Sequence, residues 1–62
     1  MSEELDTARR YRLHAEELRT MAADRSTPEI RHVLLGLAID YEKMAGSMET
    51  IDETNRVLRF HA

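Results

Sequence analysis

The residues best suited to metal chemistry are Glu29 and His32, which lie three positions apart. Helical bundles use this ExxH spacing to hold a di-iron site together with a Glu from another helix. Such ligands must point into the core, whereas His32 lies on roughly the opposite side of its helix from the apolar positions that follow it. Glu42 is better placed along the helix, but Ala45 stands where the histidine would be needed. The sequence therefore predicts no metal site and no cofactor.

Residues that could act as catalytic nucleophiles are few. The chain has no cysteine, and its three histidines, His14, His32 and His61, lie far apart in the sequence. Ser26 and Ser47 are typical of a helix cap or loop and of a helix surface. A chain of 62 residues also offers no deep pocket of the kind that enzymes use. We expect no enzymatic activity.

Arginines near the start of the chain could contact nucleic acid. Tyr11 lies among them, and the four are Arg9, Arg10, Arg12 and Arg19. Acidic residues interleave with these arginines, and the formal net charge of the chain is -3, so no general attraction to a polyanion exists. We expect no binding to nucleic acid. The alternative is a small regulator that binds nucleic acid or a larger protein through this arginine-containing face of helix one.

The length of the chain limits how it can become stable. We expect residues 1–62 to form one domain, and a domain of this size buries only about 60% of the surface of its unfolded chain. Small domains usually add disulfides, a metal or self-association, and without cysteine disulfides are excluded. The first residues, MSEELD, lack the basic start and apolar stretch of a signal peptide. We expect a cytoplasmic protein with no membrane partner.

The helix signals predict an all-α antiparallel hairpin with a long second helix. Helix one should cover about residues 3–24, the turn about 25–27 and helix two about 28–60. Ser2 suits the cap of helix one. Helix two has two possible caps, either Thr27 with Pro28 at the first helical position or a capping box of Ser26 and Glu29. A break of helix two at residues 46–47 also stays open.

Each helix carries an apolar stripe with the spacing of a coiled coil. Helix one alternates small and large residues at Ala8, Tyr11, Ala15, Leu18 and Ala22. The stripe of helix two is longer and comprises Ile30, Leu34, Leu37, Tyr41, Met44, Met48, Ile51, Asn55 and Leu58. Asn55 either fixes the register or marks the end of the seam. The intrachain seam that we predict consists of Tyr11, Leu18, Leu34, Leu37, Tyr41 and Met44.

A second set of apolar residues has no partner within the predicted hairpin. Leu35 and Ile39 lie on roughly the opposite side of helix two from its stripe, and Ile51 and Leu58 should lie beyond the end of helix one. The simplest cover is another copy of the hairpin. We therefore predict a homo-oligomer, a dimeric four-helix bundle, with Leu35, Ile39, Ile51 and Leu58 in the interface. Its function would be that of a non-catalytic protein–protein interaction or adaptor module. Whether it also binds a different protein is not determined by the sequence.

Two segments of the sequence together resemble a bacterial protein family. The segment YRLHAEELRTMA and the segment TPEIRHVLLGLAIDYEKMA are similar to those of short helical-hairpin proteins of alphaproteobacteria. That family carries a YRxxAEELRxxA segment, a (D/T)PExR turn and an LLxLAxxYExLA segment, with Met44 here in place of the usual Leu. The resemblance covers about residues 11–45. It implies a helical hairpin and a bacterial origin, and it contributes no active site because the family has no assigned activity.

Overall fold

A computed structural model describes residues 2–24 and 27–61, which contain two helices. Helix α1 spans Glu3–Asp24 and helix α2 spans Pro28–His61. Glu4, near the start of α1, contacts Asn55, late in α2, whereas Arg19, near the end of α1, contacts Glu42, in the first half of α2. The helices are therefore antiparallel, and the predicted all-α hairpin is confirmed.

Side-chain oxygens cap the N-termini of both helices. Ser2 Oγ accepts a hydrogen bond from the backbone N–H of Leu5 at 3.0 Å. Thr27 Oγ1 accepts one from the N–H of Ile30 at 3.3 Å, so Thr27 caps α2 and Pro28 takes the first helical position, where a missing N–H costs nothing. Ser26, the other candidate cap, lies outside the described residues.

Helix α2 continues through Gly46 and Ser47 without a break. The hydroxyl of Ser47 donates to the carbonyl of Lys43 at 3.1 Å, and that of Thr50 donates to the carbonyl of Gly46 at 3.1 Å. These hydroxyls thus bond within the helix, one turn back, instead of opening it. The chain accordingly has two helices over its described residues, not three.

The helices pack through a seam of small side chains. The buried residues of α1 are Ala8, Ala15 and Ala22, and those of α2 are Ala38, Ala45 and Asp52. Each set repeats every seven residues, which is the period of a coiled coil. All six are at most 2% exposed. We call this the alanine seam, and its methyl groups allow the two backbones to approach closely.

The alanine seam lies one residue further along α2 than Leu37 and Met44, two members of the predicted seam. Leu37 and Met44 precede Ala38 and Ala45 directly and are 43% and 40% exposed. One residue is a rotation of about 100° around a helix, so Leu37 and Met44 point to the side of α1 instead of toward it. The prediction placed large residues at the centre, whereas closely approaching helices have room there only for small ones.

The molecule is a rod of 52 × 17 × 10 Å. The amide of Asn55 donates to Glu4 Oε1 at 3.0 Å, so the start of α1 reaches this level of α2. Ile51 therefore lies within the length that α1 covers, contrary to the prediction, and it is exposed because it points sideways. Beyond Asn55 exposure increases toward the end of α2 and reaches 88% at Phe60.

Candidate interaction surface

One side of the hairpin is held by ion pairs between the helices. Arg12 makes two hydrogen bonds to Glu49, with Nη2 to Oε1 at 2.6 Å and Nε to Oε2 at 3.2 Å. Arg19 pairs with Glu42 one heptad away along each helix. The hydrogen bonds that Arg12 donates to Glu49 raise the pKa of Arg12, and the hydrogen bond that Arg19 donates to Glu42 lowers the pKa of Glu42. We call this side of the hairpin the ion-paired side.

These pairs use part of the arginine-containing face that was considered for nucleic acid. Arg12 and Arg19 each hold a carboxylate of α2, and Arg10 Nη2 donates to Thr7 Oγ1 at 3.2 Å. The charges of Arg12 and Arg19 are therefore largely compensated locally, which weakens their attraction for phosphates. The expectation that the protein does not bind nucleic acid stays a prediction.

The opposite side of the hairpin carries aromatic and aliphatic side chains. The ring of Tyr41 lies 5.6 Å from that of Tyr11 and 5.2 Å from that of His14, measured between centroids. We call the half-buried row beside the alanine seam the inner flank, and its members are Tyr11, Leu18, Leu34, Tyr41 and Met48. The inner flank thus covers one edge of the seam and still presents apolar surface to solvent.

A second row of α2 lies outside the inner flank and is exposed. Its residues repeat every seven positions and are between 40% and 63% exposed. This outer row consists of Ile30, Leu37, Met44, Ile51 and Leu58. On α1 the corresponding positions are Thr7, His14 and Met21, of which Met21 is 56% exposed. The inner flank and the outer row together form what we call the apolar face.

The four residues predicted at the oligomer interface lie on different sides of α2. Ile51 and Leu58 belong to the outer row. Leu35, which is 39% exposed, lies three and ten residues before Ala38 and Ala45 and shares its row with Glu42, on the ion-paired side. Ile39 is 49% exposed and points still further from the apolar face. A single flat interface cannot include both pairs, because their directions around α2 differ by more than a right angle.

The prediction from the sequence did not include a buried carboxylate in the alanine seam. Asp52 is 2% exposed, and its Oδ2 lies 3.2 Å from Nε of Arg56 without making a hydrogen bond. Their spacing of four residues is that of an ordinary ion pair on a helix surface. The signal that could have revealed the burial is the heptad spacing, since Asp52 follows Ala45 by seven residues. One turn further along α2, the Asn55 amide donates a hydrogen bond to Glu4 and so links the two helices at the open end of the hairpin.

Side chains that could bind a metal do not cluster among residues 2–24 and 27–61. No group of three or more His, Cys, Asp or Glu side chains in these ranges is placed to hold a metal ion. Glu29 and His32 are both exposed in the first turns of α2. The apolar face is the feature of the described chain on which we base a functional proposal.

Comparison with known proteins does not assign the chain to a family. No family model, curated protein or solved structure matches the chain. The resemblance to the alphaproteobacterial hairpin proteins, and the bacterial origin that it implies, therefore stay predictions. Neither described helix has a stretch both long and apolar enough to cross a membrane.

Proposed function

We propose that the protein is a non-catalytic interaction module that works as a homo-oligomer, a dimeric bundle of four helices. The observation that carries the proposal is that small side chains are buried whereas large apolar ones lie at the surface. The buried apolar residues of the described chain are five alanines, whereas its large aliphatic residues lie half-buried or exposed. The side chains that could supply a substantial core are thus on the surface of the single hairpin.

The energetic consequence is a weak hairpin. Burial contributes about 0.8 kcal/mol per methyl-sized group, so five alanine methyls supply on the order of 4 kcal/mol. Burying a Leu, Ile or Met contributes roughly 1.5 to 3 kcal/mol each. The outer-row residues are 40% to 63% exposed, so covering all five would contribute about as much as the alanine seam or more. Folding and association are expected to be coupled for this reason.

The accessible surface supports the same proposal. The chain exposes 4973 Å², whereas a compact monomer of 7.2 kDa should expose about 4,100 Å². The excess of roughly 850 Å² is close to the ~800 Å² that each partner buries in a standard dimer. A second copy could thus bring the surface of each chain to the ordinary value for its mass.

The test is the mass of the protein in solution. Sedimentation equilibrium at tens of micromolar should give twice the chain mass of 7.2 kDa. A well-folded monomer at that concentration would overturn the proposal.

The alternative function, binding of nucleic acid or a larger protein through the arginine-containing face, finds less support. Two of the four arginines considered for it, Arg12 and Arg19, are engaged with glutamates of α2. Its own test is a titration with duplex DNA and with structured RNA at physiological salt. A submicromolar affinity that falls steeply with salt would favour it.

A further inference from the structure

The geometry points to a specific arrangement of the dimer, an inference that rests on the proposed self-association. The apolar face of one copy packs on the apolar face of the other, with α2 against α2 in antiparallel orientation. The two-fold axis passes close to Met44. The two copies would then form a bundle in which the alanine seams join helices within each chain and the outer rows join the chains.

The directions of the two rows fit a four-helix bundle. Each helix of such a bundle has two neighbours, which lie at roughly right angles as seen from its axis. The outer row of α2 lies about 100° around the helix from the alanine seam, because each of its residues directly precedes a seam position. The inner flank lies between these two directions. In the dimer, Tyr41 and Leu34 would therefore point to the centre of the bundle.

The charge pattern of the apolar face suits a second copy of the same face. The outer row and the inner flank of α2 contain no Asp, Glu, Lys or Arg between Ile30 and Leu58. A charged partner surface would lose its hydration there without gaining an ion pair. A second apolar face would cover it without that cost. The accessible surface of each chain exceeds the value expected for a compact monomer of its mass, and this excess matches the area that such a contact buries.

The outer row is also complementary to itself in antiparallel orientation. Its five positions are symmetric about Met44. A two-fold axis at this point sets Leu37 opposite Ile51 of the partner subunit and Ile30 opposite Leu58 of the partner subunit. Every pair is aliphatic, so no position of the outer row meets a polar residue.

The lengths of the rows favour packing of α2 on the partner's α2 over packing on the partner's α1. The outer row of α2 extends from Ile30 to Leu58, about 42 Å along the helix. The corresponding positions of α1 extend only from Thr7 to Met21, about 21 Å. Packing α2 on the partner's α1 would leave half of the outer row uncovered, whereas packing it on the partner's α2 covers all of it.

The short row of α1 fits the same two-fold axis. Its midpoint is His14, and the ring of His14 stacks on that of Tyr41 with 5.2 Å between centroids. Tyr41 precedes Met44 by three residues, so the midpoints of the two rows lie within about one helical turn of each other. One axis can therefore relate α1 to α1 and α2 to α2 at the same level.

The patch of Leu35 and Ile39 lacks such continuity. Seven residues after Leu35 stands Glu42, which pairs with Arg19 across the helices. Seven residues after Ile39 stands Gly46, followed in the same row by Glu53. This side of α2 thus offers two apolar residues in isolation and not a row.

Disulfide trapping tests the arrangement cleanly because the chain has no cysteine. Met44→Cys should give a covalent dimer on mild oxidation with diamide, since a residue on the axis meets its own copy within disulfide reach. Ile39→Cys is the matched control on the same helix and should stay uncrosslinked at equal concentration. A Met44→Glu variant should dissociate the dimer at concentrations where Ile39→Glu leaves it intact.

The other outcomes separate this inference from the proposed function. A covalent dimer from Ile39→Cys and not from Met44→Cys would leave self-association standing and overturn the face. Trapping only in a mixture of Met44→Cys and His14→Cys chains would show α2 against the partner's α1, which overturns the orientation. A parent protein that sediments as a monomer would overturn the proposed function itself.

Discussion

At the residue scale, Asp52 is the least expected side chain of the alanine seam. It occupies the seam position that follows Ala38 and Ala45, and it is as deeply buried as they are. Arg56, which lies 3.2 Å from it and carries the opposite charge, has a side chain that is 66% exposed. A buried carboxylate with incomplete hydrogen bonding costs free energy. Asp52 therefore limits the stability of the open end of the hairpin.

Replacing this carboxylate should stabilise the protein. Asp52→Ala would extend the alanine seam by one position, and we expect the free energy of unfolding to rise by about 1 to 3 kcal/mol. Arg56 would stay hydrated and should not offset the gain. Urea denaturation followed by circular dichroism measures the change.

Asp40→Ala serves as the matched control, because Asp40 is an exposed aspartate of the same helix. Both changes bring the same gain in helix propensity, so their difference reports burial alone. Loss of stability in Asp52→Ala, with Asp40→Ala neutral or stabilising, would show that Asp52 has a partner that the burial argument does not include.

At the element scale, the continuity of α2 through Gly46 matters most. A break there would let the end of α2 fold back and cover part of the apolar face. The helix instead runs from Pro28 to His61, so the outer row is uninterrupted along its length. Glycine is nonetheless a costly residue in a helix interior, because it loses the most backbone freedom on folding.

Gly46→Ala should therefore stabilise α2 by roughly 0.5 to 1 kcal/mol. A Cβ atom at Gly46 would meet nothing within 4 Å, and the same holds at Gly36. Gly36→Ala is thus the control and should have a similar effect in thermal melts. A destabilising effect of Gly46→Ala alone would indicate that α2 bends at this residue in the assembled protein.

At the scale of the whole molecule, the two sides of the hairpin differ in the forces that they can supply. The ion-paired side contributes little net energy, since its residues are exposed and screened by salt. The apolar face supplies most of the surface that association could bury. Self-association should accordingly follow the hydrophobic effect and not charge.

Raising the salt concentration from about 0.1 M to about 1 M should leave the dimer dissociation constant unchanged or lower it, because apolar burial is not screened. The melting temperature at fixed salt should rise with protein concentration. Sedimentation and thermal melts across both series make the measurement. Dissociation at high salt would mean that ion pairs hold the chains together.

Local signals in the sequence predicted the two helices and the Ser2 cap, and they offered the Thr27 cap as one of two alternatives. Ser2, Thr27 and Pro28 act on the backbone within one turn, so their effect does not depend on distant residues. The heptad period of α2 was equally visible, and it correctly predicted helices that pack along their length. The end of α2 at His61 instead of residue 60 is within the usual uncertainty of helix ends.

Only the tertiary structure decided which heptad row faces α1. The rows of Leu37 and Met44 and of Ala38 and Ala45 have the same period, so periodicity cannot choose between them. The choice depends on how side chains of the two helices fit together, and the small buried residues of α1 face small residues of α2. That same choice buried Asp52, turned Leu37 and Met44 outward, and separated Leu35 and Ile39 from Ile51 and Leu58.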